Sequence, residues 1–278
     1  MKEISLEEMQ SIELNILVDF TNYCDKQGLV YFLCGGTLIG AIRHKGFIPW
    51  DDDVDIMMPR EDYLKALKGY THPYYKQDSV SIDSNSTIRY ARINDIRTVL
   101  KTNQKEKYPE SIFIDVFPMD GFPEETWRQK LFLGIQQLLI ACHLATLLDY
   151  KVSNRYADRK AGFADWRKYL RTLVKYIMIA TLGQTSPSFW ARLIDQRASR
   201  ESYAGHQYVG VAVSGPHGLK EIMPSSLFQE SITVDFEKAK LSAPRGYDEY
   251  LTKLYGDYRK MPPQEQRKSH HDFQAWWK

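Results

Sequence analysis

Cys34-Gly35-Gly36-Thr37-Leu38-Ile39-Gly40-Ala41-Ile42-Arg43-His44-Lys45-Gly46-Phe47-Ile48-Pro49-Trp50-Asp51-Asp52-Asp53-Val54-Asp55 places a glycine pair, a basic triplet and four carboxylates within one short span. The run before it, Leu29 to Leu33, reads as a buried strand, and Val54, Ile56, Met57 and Met58 read as the next. The glycines then fall in a strand-to-helix turn, and the fold is organised around this strand, helix and strand.

If Asp53, Val54 and Asp55 are extended, residues two apart point to one side of the sheet. Asp51, Asp53 and Asp55 then share a face, and Val54 and Ile56 take the other. Two carboxylates about 4 Å apart repel by roughly 4 kcal/mol at an effective dielectric near 20, a cost that protonation or a bound cation must relieve. Hard oxygen ligands of this kind suit Mg2+ or Mn2+. A solvated acidic loop is the plain alternative, but it accounts neither for Pro49 and Trp50 before the aspartates nor for the apolar residues after them. A calcium-binding hand is excluded, because Ile56 stands where its loop glycine is required and Pro59 interrupts the loop.

The glycine pair has two readings. Glycines let a backbone approach a ligand closely, and the N–H groups from Thr37 onward at the helix start can hold a phosphate. A Gly-Gly turn can equally be only a turn. Across one short helix from the carboxylate strand, the pair forms one half of a metal and nucleotide site.

Upstream, Ser5 and Glu8 fit a capping box, and Leu6, Met9, Ile12, Ile16, Leu17, Phe20 and Tyr23 recur at helical spacing until Gly28. Downstream, the pattern predicts a short helix over about 37–44, the acidic strand, and a helix over about 60–69 that Pro59 is placed to start. Three β-like segments follow: Ile88 to Ile93, Thr98 to Leu100, and Ile112 to Phe117. Asp115 in the last is a charge among apolar strand formers, costly unless it is paired or binds a metal. Turned outward, it would carry Phe113 and Phe117 to solvent, so we expect a third metal carboxylate. Arg89 and Arg92 are candidates to neutralise phosphate, Arg89 equally to form a surface ion pair.

Residues 124 to about 202 read as helices. The apolar stretch from Leu131 to Leu148 includes Gln136, Gln137 and His143, which favours a buried or interfacial helix over a spanning one. His143 there reads as a packing residue. Arg167, Lys168, Arg171 and Lys175 among apolar residues over 166–178 make a basic amphipathic helix that either packs on the core or lies on anionic lipid. From Tyr208 the chain returns to β-like pieces, and His270-His271 reads as an exposed feature. We divide the chain into a catalytic core over 1–123, a helical, membrane-facing region over 124–206, and a segment over 207–278 that packs back on the core.

With 278 residues, 37 basic against 35 acidic and a net charge of +2, the chain lacks the basic excess of a nucleic-acid binder. Cys24, Cys34 and Cys142 have no metal-ligand spacing and read as reduced thiols. The first residues carry no apolar leader, so we expect a cytoplasmic protein, peripheral on the inner face of the cell membrane.

Gly36 through Asp55 resembles the signature of the LicD phosphotransferases, relatives of the fukutin proteins within the nucleotidyltransferase superfamily. Ile114-Asp115-Val116-Phe117-Pro118-Met119-Asp120-Gly121, Tyr247 to Leu251, Tyr255-Gly256-Asp257 and Pro262-Pro263 also look like family segments. The resemblance implies an α+β fold, a nucleotidyltransferase-like mixed sheet core with an added helical region. It implies that Asp53, Asp55 and Asp115 are catalytic and bind Mg2+ or Mn2+, Asp115 also being placed to draw a proton from the acceptor. Gly35, Gly36, Thr37, Arg43, His44, Lys45, Trp50, Asp51 and Arg92 are the substrate-binding candidates. His44 could equally be structural, and Trp50 could either face a quaternary ammonium or pack against the glycine turn.

LicD-like enzymes transfer phosphocholine from CDP-choline to sugars of teichoic acid or lipopolysaccharide, and fukutin-like members transfer ribitol phosphate from CDP-ribitol. The expected partners are therefore a CDP-alcohol, CDP-choline first, and a glycan or lipid-linked glycan acceptor, with no nucleic acid. Ribitol or glycerol phosphate transfer, nucleotidyl transfer to a small acceptor, and an inactive metal-binding scaffold are the alternatives.

Overall fold

The computed structural model describes residues 2–101, 110–147, 177–267 and 274–278. The basic helix expected over 166–178 lies outside these apart from its last two residues, and His270 and His271 lie outside them altogether.

The chain enters through β1 (Glu3–Ile4) and α1 (Leu6–Gln27). The Ser5 hydroxyl accepts from the Glu8 N–H at 3.2 Å, and Gly28 closes the helix at φ +65°. Only half of the capping box forms, because the Glu8 carboxylate accepts from Lys2 Nζ and Trp277 Nε1 instead. The buried stripe of α1 comprises Met9, Ile12, Ile16, Leu17, Phe20 and Cys24, with the Glu13 carboxyl on the same face.

Next come β2 (Phe32–Leu33), α2 (Gly35–His44), β3 (Asp55–Pro59) and α3 (Arg60–Gly69), then β4 (Tyr75–Asp78), β5 (Ala91–Asp95), β6 (Thr98–Lys101) and β7 (Phe113–Phe122). The main sheet has the order β2-β3-β7-β5-β4. Strands β3 and β7 are parallel and the other neighbours antiparallel. A parallel step needs a long crossover, which α3 through β6 supplies. This mixed sheet with its helices is an α+β fold, as expected.

Three strands differ from the sequence pattern, and the one expected from Leu29 is a strand only at Phe32 and Leu33. The segment expected from Ile88 becomes a strand only at Ala91, because residues before it close a loop in which the Val80 N–H donates to Ile88 O at 2.9 Å. Strand β7 continues past Phe117 to Phe122, since its second half pairs with β8 (Tyr208–Gly210), Asp120 opposite Gly210.

The rest comprises α4 (Thr126–Leu147), α5 (Pro187–Ala198), β9 (Met223–Pro224), the hairpin β10 (Ser231–Phe236) and β11 (Ala239–Pro244), α6 (Tyr247–Tyr255) and β12 (Gln274–Trp277). The main core joins both ends of the chain: Leu17, Phe20, Met57 and Ile114 pack in one cluster with Val209, Phe236, Tyr250 and Leu251. Burying such side chains contributes about 1.5–3 kcal/mol each. By length and composition α4 could cross a membrane. Yet it buries Phe132, Leu133 and Ile140, and its Gln136 Nε2 donates to Ile194 O of α5 at 3.0 Å. His143 packs in the same helix, its Nε2 2.9 Å from Thr87 O.

Candidate active site

Cys34 follows β2 in extended backbone, and Gly35 turns the chain into α2 at φ +55°, a conformation that favours glycine. A Cβ at Gly35 would lie 2.9 Å from Asp55 Oδ2, and one at Gly36 would lie 2.8 Å from Asp51 Oδ2. The pair therefore lets the helix start press against two carboxylates, which is more than a turn requires. Thr37 is tied to the same strand: its hydroxyl accepts from the Asp55 N–H at 2.8 Å.

Asp55 opens β3, and Asp51 to Asp53 lead into it. Val54 and Ile56 are fully buried while Asp53 and Asp55 keep some exposure, so alternation holds from 53 to 56. It fails before that: Asp51 and Asp52 are both buried, and oxygens of Asp51, Asp52 and Asp53 lie within 4.8 Å of one another. Asp52 was not among the expected residues.

Asp115 is the register partner of Asp55 across the parallel β3–β7 pair. It shares a face with Phe113 and Phe117, as alternation requires, and that face is not turned to solvent. That face is roofed rather than open: Arg92 lies over the Phe113 ring, 3.8 Å from its centroid, and Tyr90 packs on Phe117 with centroids 4.7 Å apart. Arg92 Nε donates to Asp115 Oδ1 at 3.1 Å, and Arg92 Nη1 pairs with Glu110. Arg92 is thus engaged by two carboxylates at the edge of the cluster.

Burial pushes the Asp55 carboxyl well above the usual carboxylate range, and Asp53, Asp115, Asp51 and Glu13 push it further. Asp115 is also raised, by burial first, with Arg92 opposing and Asp53 reinforcing. Glu13, only 2 % exposed, is raised well above its ordinary value by burial and then by Asp53, Asp52, Asp51 and Asp115. Among the described residues its Oε2 has no hydrogen-bond partner. Sequence reasoning passed over Glu13, although a carboxylate on the Met9–Ile16–Phe20 stripe was the available signal. Tyr255 of α6 was also missed; its Oη would be 3.7 Å from a Cβ at Gly35. An all-oxygen donor set with one orphaned buried oxygen fits a hard divalent cation.

Arg43, His44 and Lys45 lie at the other end of α2, His44 about 12 Å from Gly36 at 1.5 Å per residue. Arg43 Nη1 donates to Tyr258 O at 3.0 Å and its Nε to His44 Nε2 at 2.9 Å. Lys45 is exposed and caps α2 at φ 62°. Trp50 meets His44 edge-on at 6.5 Å, and the Arg267 guanidinium lies 5.8 Å from its ring centroid. The structure therefore gathers Gly35, Gly36, Thr37, Asp51, Asp53, Asp55, Asp115 and Arg92 at one end of α2 and Arg43, His44 and Lys45 at its opposite end, with the Trp50 ring beside His44.

The family model described as "LicD/FKTN/FKRP, nucleotidyltransferase domain" matches residues 28–138. The lipopolysaccharide cholinephosphotransferase LicD of Haemophilus influenzae is 34% identical over 285 residues, covering 99% of this chain and 99% of that protein. An uncharacterized protein of Rickettsia prowazekii is 32% identical over 154 residues, 55% of this chain and 54% of its own length. Another from Rickettsia typhi is 28% identical over 124 residues, 44% and 39% respectively.

Proposed function

The chain belongs to the LicD family, and from that premise we propose that it transfers phosphocholine from CDP-choline to a sugar hydroxyl of a lipopolysaccharide precursor, releasing CMP. The observation that carries this is Asp55 and Asp115 side by side beneath the α2 start, in a chain that aligns end to end with a cholinephosphotransferase.

Asp53, Asp55 and Asp115 would hold Mg2+ or Mn2+, with Asp51 and Glu13 adding negative charge around it. A bound ion of this kind supplies charge neutralisation at the donor phosphates. The first N–H groups of α2 and its dipole favour a phosphate at Gly36 and Thr37. Arg92 orients Asp115 through its 3.1 Å bond, which would place that carboxylate to take the hydroxyl proton. The acceptor oxygen then bonds to the choline-bearing phosphorus, the P–O bond to CMP breaks, and CMP leaves with the electron pair. At the far end of α2, Arg43, His44 and Lys45 serve the nucleotide side of the donor. Trp50, whose ring already attracts the Arg267 cation, serves the quaternary ammonium at about 0.5–2 kcal/mol. A lipid-linked acceptor accords with a protein peripheral on the inner membrane face, and exposed Trp127, Leu131 and Leu138 on α4 would meet the bilayer.

Mass spectrometry of the products formed from a panel of CDP-alcohols, Mg2+ and lipopolysaccharide precursor tests this. CMP and phosphocholine-modified glycan are expected, and Trp50→Ala should weaken CDP-choline more than CDP. Release of pyrophosphate would mean nucleotidyl transfer. If CDP-choline neither reacts nor competes while CDP-ribitol or CDP-glycerol does, the choline assignment is wrong.

A further inference from the structure

On the β5 side of the carboxylates, a cavity of about 360 Å³ is lined by Arg89, Tyr90, Arg92, Asn94, His143 and Leu144, among others. It falls within the range of small-molecule pockets, roughly 300–1,000 Å³. The strand order β2-β3-β7-β5 sets the start of α2, which follows β2, on one side of Asp55 and Asp115 and this cavity on the other. Arg92 belongs to both places, bonding Asp115 and lining the cavity. Asp115 itself does not line the cavity, and Arg92 is the residue that joins the two places.

Charge says what kind of molecule. Arg92 is balanced by Asp115 and Glu110, and Asp78, also in the lining, accepts from the Ser86 hydroxyl at 2.5 Å. Among the described residues Arg89 is hydrogen-bonded only to neutral groups, although Asp78 and Glu110 share the lining and Arg92 and Asp115 act on it at longer range. Its Nε donates to Val213 O at 2.8 Å, its guanidinium lies 5.2 Å from the Tyr90 centroid, and its Nη1 is 3.5 Å from His143 Nδ1. That imidazole is neutral near pH 7, because burial and then the Arg89 charge push it down to about 4. Among the described residues no carboxylate bonds Arg89. A half-buried guanidinium with neutral partners is completed by an anion, and its fork matches phosphate or carboxylate.

We propose that this cavity is the acceptor subsite and that Arg89 recognises a phosphate or carboxylate carried by the acceptor sugar. The word acceptor rests on the transfer reading above; the preference for an anion does not.

Calorimetric titration of the wild type, Arg89→Gln and Leu144→Trp with glucose, glucose 6-phosphate, glucuronate and, in Mg2+, CDP-choline tests both parts. Leu144 is 44% exposed at the cavity, so a larger ring there narrows the cavity without entering the core and keeps the test alive if Arg89→Gln fails to fold. At least one sugar anion should bind the wild type about tenfold or more tighter than glucose, and each variant should lose about tenfold or more of that affinity while CDP-choline binding persists. The glucose 6-phosphate and glucuronate arms separate phosphate from carboxylate. Anions binding no better than glucose, or variants binding them like the wild type, overturn the subsite. A parallel loss of CDP-choline would assign the cavity to the donor and overturn the acceptor role. If the wild type binds no CDP-alcohol, the transfer reading fails with the acceptor role, and the sugar-anion arms still decide the anion preference.

Discussion

Asp55 of β3 and Asp115 of β7 are direct register partners in a parallel strand pair, with the Asp115 N–H donating to Val54 O at 2.8 Å. Parallel register points their side chains to the same face, so two carboxyls from distant parts of the chain are held together by backbone hydrogen bonds. Burial raises both, Asp53 adds to each, and Asp115 adds to Asp55. Stability is thereby given up at the place where a cation would restore it.

Asp53→Asn, Asp55→Asn and Asp115→Asn should each lower turnover by about two orders of magnitude or more, because a charged oxygen ligand is lost at nearly constant volume. For Asp55 and Asp115 the folded value lies above the ordinary 3.8, so the folded state holds more protons and metal-free stability falls as pH rises from there. Melting in EDTA should therefore show these two variants more stable than the wild type at pH 8, a gain that fades towards pH 4. Near wild-type turnover in any variant removes that residue from the site.

Gly36→Ala and Gly40→Ala should fail differently. At Gly40 a Cβ would meet the Gly46 carbonyl at 2.4 Å, a backbone clash expected to cost about 1–3 kcal/mol. At Gly36 it meets Asp51 Oδ2 at 2.8 Å, and that side chain can move. Urea melts and turnover measured together should show lost stability for Gly40→Ala and lost activity for Gly36→Ala. Equal destabilisation by the two would contradict this division.

Arg60 holds Asp120 through two bonds of 2.7 Å and Asp195 through one of 2.5 Å, with Asp120 fully buried. Arg60→Met should destabilise by about 3–5 kcal/mol in chemical denaturation, because it strands a buried carboxylate. Adding Asp120→Leu should recover part of the loss. No recovery would mean that Arg60 acts through packing rather than charge.

Glu221, 7% exposed, is lifted by burial from 4.5 to about 7 although the His217 N–H donates to it at 3.2 Å. Because the folded value is the higher, its contribution is fully present below pH 4.5 and lost as pH rises through 7, up to about 3 kcal/mol. His143 runs the other way, from 6.5 down to about 4, losing its contribution as pH falls through that interval. The stability difference between wild type and Glu221→Gln should therefore decline from pH 4.5 to 7. A difference that stays constant with pH would place the Glu221 carboxyl in water.

Short-range pattern was enough to read α1 with its Ser5 and Gly28 caps, α3, the carboxylate strand and the glycine pair, because caps, helical spacing and alternation act over a few residues. The family signature ran through the same stretch. Packing alone decided that Asp115 stands opposite Asp55, that Glu13 lies beneath the aspartates, and that Tyr255 returns to Gly35. The placing of Arg43, His44 and Lys45 at the far end of α2 follows from the helix itself, since Gly36 and His44 stand eight residues, about 12 Å, apart. Which strand lies beside which, and in what register, is set by contacts between residues far apart in the chain, and no local spacing encodes it.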